Sequence, residues 1–503
     1  MSASGILVAG TSSDAGKSVI TAGLCRVLAR RGLRVAPFKA QNMSNNSMVC
    51  LDGGEIGRAQ YLQAQAAGVV ATTAMNPVLL KPGSDRRSFI VVRGRPAGVL
   101  EAGQYAAGRA LLADAAFAAY EELADEYDLV VCEGAGSPAE INLRQGDFVN
   151  LGLARRFDLP VVVVGDIDRG GILASLYGTW ALLSDEDRAL LKAFVINKFR
   201  GDVSVLEPGL AEISRRTGVP FVGVIPWLLE VWLDSEDTLA TGEWRAAAAR
   251  PAGAGDRLTV AVVRLPRISN ATDVDALAAE PGVDVLVTVD PALVEAADLV
   301  VLPGTRSTTI DLAWLHERGL GEMITRRAAA GRPVLGICGG YQMLGQQIED
   351  DVEGQVGVVP GLGLLPIRVE FGADKVLARP VGTWQGHRVE AYEIHHGIAH
   401  PIDSGDPALD GARPAEPFLD GWQVRAVWGT MWHGAFENDA FRRAWLSRVA
   451  EAAGSRWRPD PDAAGFAARR EHMLEVLADA LEEHLDVDAL LALTRAGLPQ
   501  MTP

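Results

Sequence analysis

Short apolar runs recur along the whole chain, each closed by a glycine-rich or polar turn and followed by a stretch with helical apolar spacing. Residues 6–9 form the first run, and residues 19–31 then place Val19, Ile20, Leu24, Val27 and Leu28 on one helical face before Gly32. Further runs at 34–39, 128–132, 161–164, 193–196 and 221–226 predict strands, with helical stretches between them. Strand–helix alternation of this kind predicts an α/β fold with a doubly wound, mainly parallel sheet, whose ligand loops lie at the carboxyl edge. The pattern loosens from about Ser235, and residues 243–256 are rich in Ala, Gly and Pro, as a connector would be. It restarts at Leu258 and continues through 298–302 and 334–337. Four segments are therefore expected: a first domain over 1–235, a linker over 236–257, a second α/β domain over 258–450, and a helical segment over 451–503. That last segment, with Met473, Leu474, Val476, Leu477 and Leu481 at helical spacing, predicts amphipathic helices packed on the second domain or used to form a homo-oligomer.

Composition narrows the class. A chain of 503 residues with 48% hydrophobic and 22% charged residues fits two or three soluble domains. Its net charge of −17 argues against a nucleic-acid binder, although locally gathered cations still permit an acidic substrate. No apolar run approaches the ~20 residues that span a bilayer, and the amino terminus shows no signal-type core. Cys25, Cys50, Cys132 and Cys338 are scattered without a CxxC pair, which suggests neither a disulfide framework nor a zinc site and fits a reducing cytoplasm. All eight histidines lie at or beyond His316, so any Cys–His chemistry belongs to the second half.

The first half carries a phosphate-binding pattern. Gly10, Thr11, Ser12, Asp14, Ala15, Gly16, Lys17 and Ser18 stand between the first strand and the first helix. Backbone N–H groups and the helix start would face ATP phosphates, Lys17 would reach the terminal ones, and Ser18 would ligate Mg²⁺. The first glycine sits one residue earlier than in a standard P-loop, a longer loop that resembles the dethiobiotin-synthetase branch. Glu133 ends an apolar strand, as a Mg²⁺-directed carboxylate does, and Asp166 is a second, weaker metal candidate. Asn197 and Lys198 end another strand and are candidates for the nucleotide site. The polar run containing Gln41, Asn42, Ser44, Asn45 and Asn46, with the cations Lys39, Lys81, Arg86 and Arg87, is the candidate surface for an acidic substrate.

The second half is organised around Cys338. Residues 334–337 predict a buried strand, Gly339 and Gly340 follow, and residues 341–348 read as helical. A thiol at a strand-to-helix elbow is exposed on a tight turn, with the N–H of Gly339 available to an oxyanion. His433, before Gly434, is the assigned base; His395 and His396 are alternatives, although neighbours on a strand point to opposite faces. Residues 392–397 are expected to line the glutamine site or a passage between domains.

Residues 10–18, 38–47, 76–82, 133–142, 166–171, 197–202, 303–311, 336–345 and 392–397 together resemble cobyric acid synthase. The run Gln41-Asn-Met-Ser-Asn-Asn-Ser47 is the most specific of them, because general phosphate chemistry does not require it. The resemblance implies a P-loop amidoligase domain fused to a class I-type glutamine amidotransferase domain. It also implies amidation of the b, d, e and g carboxylates of adenosylcobyrinic acid a,c-diamide, using Mg²⁺-ATP and glutamine. Cys338 would attack the glutamine amide, Gly339 and Gly304 would hold the oxyanion, and His433 would carry the proton. Many amidotransferases of this class orient the histidine with a Glu two residues on, where this chain has Ala435; a Cys–His dyad is the working model, and the orientation of the His433 ring is left open, with Glu437 or a backbone carbonyl as candidates. Cobyrinic acid a,c-diamide synthase and another fused amidotransferase–ligase are the enzymatic alternatives. A regulatory P-loop ATPase with a degenerate glutaminase-like module is the non-catalytic one.

Overall fold

A computed structural model describes residues 4–84, 87–101, 105–231, 257–354, 356–402 and 415–494. Arg86 and nearly all of the expected linker lie outside the described residues. The chain divides into two compact units, one of residues 1–44, 50–237 and 470–503, the other of residues 45–49 and 238–469.

In the first unit six strands form one sheet: β1 (Ser4–Gly10), β2 (Val35–Phe38), β3 (Leu129–Glu133), β4 (Val161–Asp166), β5 (Leu191–Phe199) and β6 (Phe221–Pro226). Their spatial order is β6-β5-β4-β1-β3-β2 and every pairing is parallel. The uniformly apolar strands Ile6–Val8, Val130–Cys132 and Val161–Val164 are buried because helices cover both faces of such a sheet. A separate four-stranded sheet holds Gln41–Met43, Val78–Ser84, Arg87–Val92 and Arg95–Glu101, so part of the polar run is a short strand paired with residues 78–80.

The carboxyl-terminal segment departs from expectation. Residues 470–484 of the helix Phe466–His484 belong to the first unit, where Leu474, Leu477, Ala478 and Leu481 join Ile20, Leu24, Val27 and Leu28 in one core. The amphipathic stripe is matched by the helix Lys17–Arg30, whose Gly23 leaves the space that Leu481 fills: a Cβ there would lie 2.1 Å from its Cδ1. Arg30 pairs with Glu475 and, at 2.7 Å, with Asp479 along the seam. Asp486 N–H then donates to Val222 O beside the edge strand β6.

The second unit holds β7 (Leu258–Val263), β8 (Val283–Thr288), β9 (Leu299–Leu302), β10 (Val334–Ile337), β11 (Glu416–Phe418), β12 (Gly421–Val424) and β13 (Val427–Thr430). They are ordered β8-β7-β9-β10-β13-β12-β11, with five parallel strands continued by an antiparallel pair. The helix after Cys338 is shorter than its sequence suggests, ending at Met343. Gln347–Asp350 is a strand instead, and its alternating exposed and buried residues are the period-two pattern of a half-covered sheet.

Candidate active sites

The candidate phosphate loop of the first unit leaves β1 at Gly10 and enters the helix Lys17–Arg30 at Lys17. Lys17 Nζ donates to Ser12 O at 2.8 Å and to Gly136 O at 3.2 Å, which folds its ammonium back over the loop. Gly16 has φ 96°, and a Cβ there would sit 2.0 Å from Asn197 Nδ2, so the loop closes against Asn197 only without a side chain. Asn197 donates to Ala15 O at 3.1 Å and Lys198 to Asp14 O at 3.1 Å, placing both strand-end candidates on the loop.

Glu133 is fully buried at the end of β3 and gathers the polar groups around it. Ser18 Oγ donates to its Oε1 at 2.8 Å, Lys39 Nζ to the same oxygen at 2.9 Å, and Gln63 Nε2 to Oε2 at 2.6 Å. Burial pushes this carboxyl up, but Lys39 and the donated hydrogen bonds hold it below the ordinary carboxylate range. A serine hydroxyl beside one ionised carboxylate is a hard-oxygen donor pair of the kind that shares Mg²⁺ with substrate phosphates. Among the described residues no group of three or more His, Cys, Asp or Glu could hold a metal by itself. Asp166 is engaged otherwise: Oδ1 accepts from Asp168 N–H at 2.8 Å and Oδ2 from Lys198 at 2.7 Å. Lys39 therefore lies at the carboxylate, and Lys81 is buried in a 2.9 Å pair with Glu55. Asn42 Nδ2 donates to Gln60 Oε1 at 3.1 Å, and Ser44 N–H to Leu80 O at 3.0 Å. Arg87 lies 5.2 Å over the Phe89 ring. Asn45 and Asn46 belong to the second unit. Gln60 and Gln63 were not singled out in the sequence, where a helical glutamine looks like solvent-facing polarity.

In the second unit Cys338 follows β10 directly, at φ 50° and ψ −111°, a conformation a non-glycine residue rarely adopts. The elbow is forced by close packing: a Cβ on Gly340 would lie 2.0 Å from Leu302 O, the end of β9. Gly339 faces the turn after β9, since a Cβ there would come within 2.7 Å of Thr305 Cγ2. Gly304 in that turn stands beside the histidine, with its ideal Cβ position 3.2 Å from His433 Cε1. Ile394 O lies 4.0 Å from Cys338 Sγ, and Gln342 Nε2 donates to Gly397 O at 3.2 Å, so the strand Glu393–Pro401 lines the thiol.

His433 follows β13 and is fixed by main chain and ring alike. It exchanges N–H···O bonds with Tyr392 at 2.9 and 3.0 Å, and the two rings stack at 5.3 Å and 26°. Cys338 bonds one side of the imidazole. Asp273 holds the other: its Oδ2 is 2.7 Å from Nδ1, and its Oδ1 accepts from Gly434 N–H at 2.9 Å. The orienting group is thus a carboxylate upstream rather than Glu437 or a backbone carbonyl. Nothing in the local sequence signals this, because Asp273 and His433 are 160 residues apart. Burial would push His433 down, yet the charges on Asp273 and Cys338 raise it to about 10. At neutral pH the imidazole therefore carries its proton. His395 instead turns Nδ1 to Gly397 O at 2.9 Å.

A thiol on a strained elbow, a histidine charged at neutral pH and a buried carboxylate in line can perform acyl transfer through a thioester. Comparison with known proteins shows the family. The family described as CobB/CobQ-like glutamine amidotransferase domain matches residues 259–441, and the CobQ/CobB/MinD/ParA nucleotide binding domain matches residues 6–239. Cobyric acid synthase of Cutibacterium acnes is 62% identical over 98% of this chain and 100% of its own length. The chain belongs to the cobyric acid synthase family. Family members from Streptomyces avermitilis and Mycolicibacterium gilvum are 57% and 55% identical, each matching 99% of this chain and 98% or 99% of its own. Among the described residues, no helix is long and apolar enough to cross a membrane.

Proposed function

We propose that the chain amidates the b, d, e and g carboxylates of adenosylcobyrinic acid a,c-diamide, in the cytoplasm, with glutamine as nitrogen source and ATP as activator. The observation that carries this reading is the Cys338–His433–Asp273 line within a chain that matches cobyric acid synthases from end to end. Cys338 Sγ adds to the glutamine amide carbon, and the N–H groups of Gly339 and Gly304 receive the oxyanion. His433, already protonated, gives its proton to the departing ammonia while Asp273 keeps the ring aligned. Water then cleaves the thioester, releasing glutamate and returning the thiolate.

In the first unit Lys17 and the loop from Gly10 to Ser18 bind the ATP phosphates. Ser18 and Glu133 would hold Mg²⁺, which neutralises phosphate charge when bound. The Asp166 carboxylate holds Lys198 against the loop, so we assign it positioning of the nucleotide site rather than the metal. A corrin carboxylate takes the terminal phosphoryl group, and ammonia displaces phosphate from the resulting acyl phosphate. Gln41, Asn42, Ser44, Asn45, Lys81, Arg86 and Arg87 remain the candidates for contact with the corrin.

Mass spectrometry of adenosylcobyrinic acid a,c-diamide after incubation with the protein, Mg²⁺-ATP and glutamine tests the reading. Stepwise gain of several amide groups is expected, and a Cys338→Ala variant should retain this with ammonia while losing it with glutamine. An unchanged corrin, from protein that still hydrolyses glutamine, would leave the glutaminase assignment standing and refute the substrate.

A further inference from the structure

The turn that carries Asp273 is held by a segment from far upstream in the chain. Residues 45–49 follow directly on the first unit's Gln41–Met43 strand and Ser44, yet they pack as part of the second unit. There the two segments exchange hydrogen bonds. Ser47 N–H donates to Asn270 Oδ1 at 2.9 Å, and Ala271 N–H donates to Asn46 Oδ1 at 3.1 Å, both buried.

Asn270 turns the chain at φ 49° and ψ 42°, and residues Ala271–Val274 form a single 3₁₀ turn. The first N–H groups of such a turn have no partner within it. Asn270 makes no side-chain cap of its own; Asn46, 225 residues away, supplies the acceptor instead. The same short stretch touches two parts of the glutaminase site. Ser269 N–H donates to Gly304 O at 2.8 Å, and Asp273 receives His433 Nδ1 and Gly434 N–H. Movement of residues 270–271 would therefore be felt at both the histidine and the oxyanion turn.

We propose that Asn46 and Asn270 are positioning residues for glutamine hydrolysis. By their reciprocal bonds they fix the 270–274 turn, and through Asp273 the imidazole of His433. The glutaminase unit is then complete only with a few residues drawn from the amino-terminal half of the chain, and the amide run there serves geometry as well as any ligand. This rests on reading Cys338 and His433 as a glutaminase.

The test is steady-state glutamine hydrolysis by the full-length protein across pH. Asn46→Ala and Asn270→Ala should each lower kcat between about ten- and a hundredfold, the loss that a small misplacement of a catalytic group brings, with KM for glutamine little changed. The basic limb of kcat/KM should move to lower pH, in the direction produced by Asp273→Asn. Asn46→Asp, which keeps the oxygen acceptor, should recover most of the rate. Asn46→Ala should add little to the loss caused by Asp273→Asn. If Asn46→Ala does not fold, Asn270→Ala and Asn270→Asp decide the matter from the other side of the same pair. Unchanged kcat and pH limb in folded alanine variants would overturn the proposal, as would failure of the Asp variants to restore activity, or losses that multiply with Asp273→Asn. Wild-type protein that hydrolyses no glutamine, or a Cys338→Ala variant that still does, would overturn the glutaminase reading itself.

Discussion

Asp273 and Cys338 act on His433 from opposite sides, and the balance of charges decides where the proton rests. With its pKa raised from 6.5 to about 10, His433 stays charged through the neutral range. The sign follows from linkage: stabilisation from the charged imidazole is fully present below pH 6.5 and is lost as pH rises through about 10. Glutamine hydrolysis should therefore hold into the alkaline range and fall as the imidazolium is titrated. Asp273→Asn removes the charge while keeping the size of the side chain. It should lower kcat by about 10²–10⁴, the range seen when the orienting carboxylate of a nucleophile–histidine pair is lost. The basic limb of kcat/KM should shift toward neutral pH in the same variant. A pH–rate profile that keeps its wild-type limb in Asp273→Asn would show that another group sets the proton affinity of His433.

At the scale of elements, the carboxyl-terminal helix shows what periodicity gives and what it withholds. The spacing of Leu474, Leu477 and Leu481 predicts an amphipathic helix, but a stripe does not say which surface it covers. That surface is the helix after the phosphate loop, where Gly23 makes room for Leu481. Leu477 is fully buried in this seam, so Leu477→Ala should destabilise the first unit by about 2–5 kcal/mol, the usual range for a large-to-small change in a core. Thermal unfolding checks this: the transition that Mg²⁺-ATP raises should move down, while glutamine hydrolysis at low temperature persists. The parallel strands were legible because apolar runs bounded by glycine turns have one reading in an α/β chain. The Cys338 elbow was legible for a related reason, since strand, nucleophile and paired glycines are contiguous. The end of the helix at Met343 was not, because residues 341–348 carry apolar positions compatible with both periods and tertiary pairing decides between them. Asp273, Gln63 and the bond between Asn46 and Ala271 depend on contacts between distant segments, and no local pattern encodes those.

At the scale of the molecule, the proposed phosphate and thiol chemistries fall in separate compact units, and histidine is confined to the residues from His316 onward. The first unit's two histidines, His472 and His484, come from its carboxyl-terminal segment, so the segments around its phosphate loop carry no imidazole, and the proposed charge handling there falls to Lys17, Lys39 and an ionised, buried Glu133. Phosphoryl transfer suits that inventory, because it asks mainly for positioning and neutralisation. The separation leads to a pair of opposite phenotypes. Lys17→Ala removes a cation from the loop, and Glu133→Gln removes the anion that faces Ser18 and Lys39. Each should lower corrin amidation by at least about 10²–10³, comparable to losing one preorganised electrostatic contact, whether nitrogen comes from glutamine or from added ammonia. Both should still release glutamate from glutamine. Cys338→Ala should do the reverse, losing glutamate release while amidating with ammonia. Measuring glutamate release and corrin mass in the same reactions separates these outcomes. If Lys17→Ala abolished glutamate release in folded protein, hydrolysis would depend on the nucleotide unit, and the two chemistries would have to be treated as one coupled reaction. If Cys338→Ala lost amidation with ammonia as well, the thiol would serve more than glutamine, and the assignment of nitrogen transfer to the first unit would fail.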